Sequence, residues 1–455
     1  MSLSSALSNS ASGLNAAARG MQTVSDNVAN ALTPGYVRRS PDVASRAGGG
    51  VAIGADLRQD AQRLSAERRQ ADASIGSAQA KATALDRVAT AFGIPGTEHT
   101  LSAMLAKLGG ALDAAALTPE NRQTLIDVTD AASRLSGRIN DIAATLMGER
   151  QRADTAVAKA VDRLNTGLAE VEGLNQSIVI ARAQGSPTAS LQDQRDGVID
   201  RLSDILPLRR VERETGEIAL FSTRGAALLD GDRAILAFDQ TRGIGFAQNL
   251  TTAVSIDGRT DTARLLSGGA LGANLDLRDV FLPQMTQDLN GFTSALVIRF
   301  QDADPDRGTN PGLFAVNDAV LAAPGGDQLP LELSLAPQYD PAKGGDATNL
   351  RGTLAPATDG ARHLAMAAAL DPGVDGLQSR AVDVSVAAIS TADRSNQSLA
   401  AAQAVGLAAL EAEQTATSVN TDAELQTLLA YETAYAANAR VIAAVDEMLR
   451  RLLEI

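Results

Sequence analysis

Residues 3–36 read LSSALSNSASGLNAAARGMQTVSDNVANALTPGY. Leu7, Leu14, Met21 and Val28 fall seven apart, and Leu3, Ala17, Val24 and Ala31 supply a companion row. A 3.5-residue apolar repeat makes a helical seam that asks for a partner helix. Asn30 to Tyr36, with Pro34 and Gly35 inside it, ends the helix, because neither residue extends one without cost. The other end of the chain mirrors this pattern. Leu428, Tyr435, Ile442 and Leu449 form one row; Tyr431, Asn438, Val445 and Leu452 form the other, and Asn420, Thr421 or Asp422 caps the start. Two terminal helices of similar length with one apolar stripe each are most economically paired with each other as a coiled coil. The alternative is a pair of unrelated surface helices docked on a globular core.

Working inward, a helix is expected from about Asp60 to Phe92, broken at Gly93-Ile94-Pro95-Gly96, with a shorter one over Leu101 to Leu112. Thr118-Pro119-Glu120 reads as the start of another, Thr as cap and Pro in the first turn. Apolar spacing carries that helix through Val157, Leu164, Val171 and Ile178 to Gly185-Ser186-Pro187, a rod on the order of 100 Å. From Pro207 to Gly268 the texture turns to strands: a hairpin over Val211 to Phe221, then strands at Ile235 to Phe238 and Val254 to Ile256, with Asp257-Gly258 as a turn. Helix resumes from about Asn274 to Gln301. A Gly/Pro/Asp-rich stretch from Asp302 to Thr358 follows, with alternating Leu331, Leu333 and Leu335, and helix returns from Leu377 to Thr417.

The expected fold is therefore mainly α with a β insert, elongated and multi-domain. Residues 1–35 with 420–455 make the terminal coiled coil. Residues 36–206, 269–302 and 360–419 make a helical body, and 207–268 with 303–359 a small β-rich outer domain.

Composition narrows the function. Of 455 residues, 45% are hydrophobic but only 3% aromatic, with no Trp, so packing rests on Ala, Leu, Val and Ile rather than on aromatic-lined pockets. A net charge of −14 argues against nucleic acid, which needs concentrated positive charge. The absence of cysteine excludes disulfide and thiolate chemistry. His99 and His363 stand far apart, each more simply a packed or solvated residue than a metal ligand, so no metal or cofactor is expected. No phosphate-cradling loop follows Gly48-Gly49-Gly50 or Gly268-Gly269-Ala270, and no Gly-x-Ser-x-Gly elbow occurs. No membrane span and no Sec-type signal peptide is expected. The chain reads as a structural protein, with a cryptic hydrolase as the enzyme alternative and a secreted helical effector or adhesin as another.

Ser12-Gly13-Leu14-Asn15-Ala16, Asn27-Val28-Ala29-Asn30 and Thr33-Pro34-Gly35-Tyr36 resemble the N-terminal signature of the bacterial flagellar axial proteins, the rod, hook and hook-associated family. Asn420 to Leu428, Ala434 to Ile442 and Asp446-Glu447-Met448-Leu449 resemble its C-terminal signature. The middle resembles the hook-associated branch: Leu174 to Ile178, Leu191-Gln192-Asp193-Gln194-Arg195-Asp196, Leu202-Ser203, and Gly269-Ala270-Leu271-Gly272 leading into Leu277-Arg278-Asp279. The β insert matches no family motif, and the chain looks short for the family, which implies an outer domain that is reduced or absent.

The resemblance implies a subunit of a helical ring at the junction of hook and filament, its paired ends lining the central channel, secreted through the flagellar type III apparatus. It implies self-association and, as partners, the hook protein, the next hook-associated protein and a cytoplasmic export chaperone on the C-terminal helix. A hook or distal-rod component is the alternative within the family. The expected assembly interface is Leu3, Leu7, Leu14, Met21, Val24, Val28, Leu428, Tyr431, Tyr435, Ile442, Val445, Leu449 and Leu452.

Overall fold

The computed structural model describes residues 3–94, 96–246, 248–260, 263–306, 312–316, 328–351, 359–370 and 376–453. The first helix, α1, spans Leu3–Asn30 and is followed by four short strands, β1 (Arg39–Ser40), β2 (Val43–Ser45), β3 (Val51–Ile53) and β4 (Leu57–Arg58). Strand β2 pairs with β3 inside an outer β1–β4 pair. These strands were not expected from the sequence, since two- and three-residue strands carry no readable alternation. Helices α2 (Gln62–Phe92) and α3 (Leu101–Leu117) fall where the periodicity puts them.

Helix α4 runs unbroken over Arg122–Ala183, about 90 Å at roughly 1.5 Å per residue. Its cap is Asn121, whose Oδ1 accepts from the Gln123 N–H, rather than Thr118. Pro119 consequently sits in the preceding turn and not in the helix. A buried residue every three or four positions, from Leu125 through Ile139, Val157 and Leu168 to Ile178, fixes one face of α4 to the core for its whole length. Helix α5 (Ala189–Ser203) folds back on it.

Strands β5 (Leu208–Glu212), β6 (Ile218–Ser222), β7 (Ala227–Asp230) and β8 (Asp232–Arg233) form an antiparallel meander, the first two being the expected hairpin. Strands β9 (Leu236–Ala237) and β10 (Ser255–Ile256) pair beside it. At the turn that follows, Asp257 and Gly258 both have positive φ, 51° and 77°. Helix α6 (Gly269–Asp276) opens into a π-helical turn over Leu277–Phe281 and continues as α7 (Leu282–Ala303). Strand β11 (Phe314–Ala315) pairs with β12 (Ser334–Leu335), on either side of a one-turn helix α8 (Leu329–Glu332), so of the alternating leucines only Leu335 lies in a strand. The short helix α9 (Ala361–Ala368) precedes α10 (Leu377–Thr417) and the last helix, α11 (Thr421–Leu453). Among the described residues no helix is long and apolar enough to cross a membrane.

Two apolar cores divide α4 between them. The first half of α4, α2, α3, α7, β11, β12 and the start of α10 share one core; the second half, α5, β5–β10 and α6 share the other. The described part of 303–359 packs through Leu313, Phe314, Leu335 and Leu350 into the core of the helical body, which also holds Phe246. Arg362, itself buried, fastens this stretch: it donates to both carboxylate oxygens of Asp304 at 2.8 Å, to the Leu350 carbonyl and to the Tyr339 hydroxyl.

Between the cores lies a buried polar belt. Arg278 and Asp154 are almost wholly out of solvent and paired at 3.0 Å. Arg150 donates to the Arg278 carbonyl, and Glu149 accepts two bonds from Arg87. A buried ion pair is tolerable only with its remaining polar atoms satisfied; the Thr241 N–H and the Thr252 carbonyl do this for Asp154 and Arg278.

Candidate assembly interface

Helices α1 and α11 pack against each other along their lengths, pairing the two ends of the chain. The pairing is antiparallel and its rungs are seven residues apart. Gly13 faces Asn438, Gly20 faces the Tyr431 ring, and Asn27 donates to Glu424 Oε2 at 3.1 Å. The α1 residues buried by this contact and its surroundings are small or polar: Ser10, Ala17, Gly20, Thr23, Val24 and Asn27. Glycine and alanine let the helix axes approach, and a Cβ added at Gly20 would stand 2.5 Å from the Tyr431 ring.

The expected interface residues divide accordingly. Val24 and Val445 are buried, and Tyr431 lies against Gly20. Leu3, Leu14, Met21, Leu428 and Ile442 are half-buried, while Leu7, Val28, Tyr435 and Leu449 remain exposed. The Leu452 side chain lies outside the described residues. The row Leu7, Leu14, Met21, Val28 thus flanks the α1–α11 contact instead of filling it. Helical spacing puts this row and Leu428, Tyr435, Ile442, Leu449 on one side of the antiparallel pair.

The opposite side of α1 is strapped by the β1–β4 segment. The Val51 N–H donates to Ser12 Oγ, Arg19 pairs with Asp56 at 2.9 Å, and Thr23 also reaches Asp56. Gly49 and Gly50, both at positive φ, pass so close to Asn9 and Ser12 that neither has room for a side chain. The pair is therefore covered and polar on one side, free and apolar on the other.

At its inner end the pair is closed by a polar cluster. Asn27, fully buried, donates to the Arg39 carbonyl and to Glu424, and its Oδ1 accepts from the Tyr36 hydroxyl at 2.9 Å and from the Arg39 N–H. Arg38 Nε donates to the other oxygen of Glu424 at 2.6 Å. Burial pushes the Tyr36 hydroxyl above its ordinary value despite nearby Arg39. The turn at Thr33-Pro34-Gly35 brings Tyr36 back onto α1, and Gly35 takes the positive φ this requires. Asn420 caps α11 by accepting from the Asp422 and Ala423 N–H groups.

An ion-pair network joins this unit to the body. Asp193 on α5 holds Arg39 and Arg58; Asp196 holds Arg58, Arg69 and Arg210. Asp200 holds Arg68 and Arg69, and Arg68 also reaches Glu413 on α10. Burial raises the Asp193 carboxyl against the pull of Arg58 and Arg39. Burial would raise Asp196 as well, but Arg210, Arg58 and Arg69 outweigh it and hold its carboxyl below the usual range. Arg195, between the two, is wholly buried and bonds Asn175 Oδ1 and the Gly216 carbonyl, both at 2.9 Å. Burial, with Arg210 nearby, brings it down to about 10. The motif 191–196 thus secures α5 to the hairpin and to the joint.

Gly269 likewise has a structural task. At φ +60° it leaves no room for a Cβ, which would stand 2.2 Å from the Ile205 carbonyl oxygen, and Ala270 and Leu271 donate to the carbonyls of Asp204 and Ile205. His99 is exposed on the loop before α3, and His363 is buried on α9. Among the described residues no group of His, Asp and Glu is arranged to hold a metal ion.

The model of the flagellar hook-associated protein FlgK helical domain matches residues 85–305. The flagella basal body rod protein model matches 7–36, and that of the flagellar basal body rod FlgEFG protein C-terminal region matches 415–455. Flagellar hook-associated protein 1 of Escherichia coli (strain K12) is 23% identical over 349 residues, covering 70% of this chain and 61% of that protein. That of Salmonella typhimurium is 25% identical over 359 residues, with the same coverage. The match thus spans about three fifths of these relatives' length. Among solved structures, the flagellar hook junction protein FlgK from Burkholderia pseudomallei aligns with a TM-score of 0.46 at 19% identity, over 56% of this chain and 46% of that one. With rod-type ends at 7–36 and 415–455 around a segment at 85–305 that matches the hook-associated helical domain, the chain is similar throughout to flagellar axial proteins, and to flagellar hook-associated protein 1 over most of its length.

Proposed function

We propose that the chain is a structural, non-catalytic subunit of the bacterial flagellum that forms the junction between hook and filament. The observation carrying this reading is the two-sided terminal pair. One side is closed by the β1–β4 strap, and the other presents Leu7, Leu14, Met21 and Val28 beside Leu428, Tyr435, Ile442 and Leu449. Apolar side chains left on one face of a folded pair are best covered by a neighbouring copy, which makes the pair the unit of a helical ring. Similarity to proteins named flagellar hook-associated protein 1 supports a place at the hook.

On this reading the ring contacts the hook protein on one side and the next hook-associated protein on the other. The chain is secreted by the flagellar type III route, and a cytoplasmic chaperone covers α11 beforehand. Exposed Leu425, Leu429, Val441 and Met448 on α11 support that last role, since they give a chaperone apolar surface to hold.

Electron microscopy of a deletion strain, with the medium probed for flagellin, is the test. Complete hooks without filaments, and flagellin lost to the medium, are expected. Missing hooks would move the chain into the rod or hook, and normal flagella would refute the reading.

A further inference from the structure

A seam of glycine, alanine and serine has little to tell one heptad from the next. Two helices joined by such a seam would slide past each other in steps of seven residues, because each displaced alignment buries nearly the same surface. The α1–α11 seam escapes this because its three described rungs differ in chemistry. A side-chain amide lies on Gly13, an aromatic ring on Gly20, and a carboxylate on the amide of Asn27.

We propose that these rungs, Gly13–Asn438, Gly20–Tyr431 and Asn27–Glu424, are a register lock that admits one antiparallel alignment of the two ends and rejects those displaced by a heptad. Displacement in one direction sets Tyr431 against Asn27, whose amide is already enclosed by the Arg39 backbone and the Tyr36 hydroxyl. Displacement in the other sets Glu424 against Gly20, which offers a carboxylate nothing. Asn27 and Glu424, each at most 1% exposed in the observed pairing, lose each other in both: the first leaves Asn27 in the seam while Glu424 runs past the end of α1, and the second leaves Glu424 in the seam while Asn27 runs past the start of α11. Leaving such groups unpaired out of water is what makes a buried polar pair specify register.

The lock has a third part outside the helices. Tyr36 and Arg38, carried by the turn after α1, hold the far sides of Asn27 and Glu424. The alignment of the pair is thereby tied to the joint with the body. Pairing within one chain is independent of where the assembly sits in the cell.

The natural chain has no cysteine, so introduced pairs report alone. In the full-length protein, Gly13→Cys with Asn438→Cys reads the observed register; Gly13→Cys with Val445→Cys and Ala6→Cys with Asn438→Cys read the two displaced ones. Under mild oxidation the first pair should close intramolecularly at least about tenfold faster than either other. With Asn27→Leu and Glu424→Leu added, the displaced pairs should come within about threefold of it. Equal closure of all three pairs in the otherwise natural chain would overturn the lock. So would an undiminished preference in the double-leucine background. Gly20→Val gives an independent reading should that background fail to pair: by driving the Tyr431 ring out of the seam it should reduce the in-register preference, and an unchanged preference would also overturn the proposal.

Discussion

Ile442→Asp separates the two jobs of the terminal pair. Ile442 lies half-buried on the free apolar side, more than two heptads from the Asn27–Glu424 closure. On that same side Leu7 and Val28 are each 37% exposed and Tyr435 and Leu449 each 38%. Full burial of such a side chain contributes about 1.5–3 kcal/mol, so covering the remaining two fifths contributes about 0.6–1.2 kcal/mol each. These four residues together therefore add roughly 2–5 kcal/mol when a neighbouring copy covers them. A carboxylate at 442 would have to be desolvated in the middle of that contact with no cation opposite, at several kcal/mol. One substitution thus cancels the gain and abolishes assembly.

The body should not feel the change, because neither apolar core contains a residue of α11. The assay has two arms. Complementation of a deletion strain with the variant should leave filaments absent and flagellin in the medium. Urea unfolding of the purified variant, followed by helical circular dichroism, should give the main transition at the natural midpoint. Normal filaments containing the variant would refute the assembly face. A main transition shifted to much lower urea would refute the independence of the pair from the body.

Three further outcomes follow from the body. Arg278→Met strands Asp154 in the polar belt and should cost about 3–5 kcal/mol, whereas Arg278→Met with Asp154→Leu should recover much of it; a double variant as unstable as the sum of both singles would contradict the pairing. His363 is fully buried, both ring nitrogens are without a hydrogen-bond partner among the described residues, and burial, then Arg362, holds it below its ordinary 6.5 against the opposing pull of Asp304. The unfolded chain therefore takes up the proton first, and stability falls as pH drops through about 6.5. His363→Leu should flatten the melting temperature between about pH 6.5 and 5.5, and an unchanged slope would count against this account. Gly269→Ala places a methyl 2.2 Å from the Ile205 carbonyl at φ +60°, and should cost about 1–3 kcal/mol in unfolding, with the loss read in the transition of the β-containing core.

The long elements were legible because each keeps one period for many turns. Residues 62–92, 122–183 and 377–417 announce themselves by apolar spacing and by Gly or Pro at or near most of their ends. The face presented by the terminal helices was not legible in the same way. Leu7, Leu14, Met21 and Val28 make the strongest heptad, yet Ser10, Gly13, Ala17 and Gly20 make the contact. Hydrophobic periodicity finds the stripe that would profit from burial, whereas close helix pairing is decided by what leaves room for a ring such as that of Tyr431. The polar belt of Glu149, Arg150, Asp154 and Arg278 was equally silent. Charged residues on a helix read as a solvated face unless something shows which partner, here more than a hundred residues away in sequence for Asp154 and Arg278, will cover them.

The two ways this molecule joins its parts have different mechanical consequences. Within the body, elements meet over leucine, phenylalanine and alanine, and any relative movement exposes apolar surface. At the joint with the terminal pair, Arg39, Arg58, Arg68 and Arg69 meet Asp193, Asp196, Asp200 and Glu413. Arg69 and Asp196 are buried, so simply breaking such a pair would strand a charge, but Asp193, Asp196 and Asp200 each have more than one guanidinium in reach and can exchange one for another. A change of angle at the joint would therefore proceed by exchange of charged partners, while the pair above it is held in register by Asn27 and Glu424. A subunit set between a hook and a filament, as proposed for this chain, has to satisfy neighbours on two different lattices with one sequence. A stiff body and a stiff terminal pair, linked by charges that re-partner, meet that demand without a second fold.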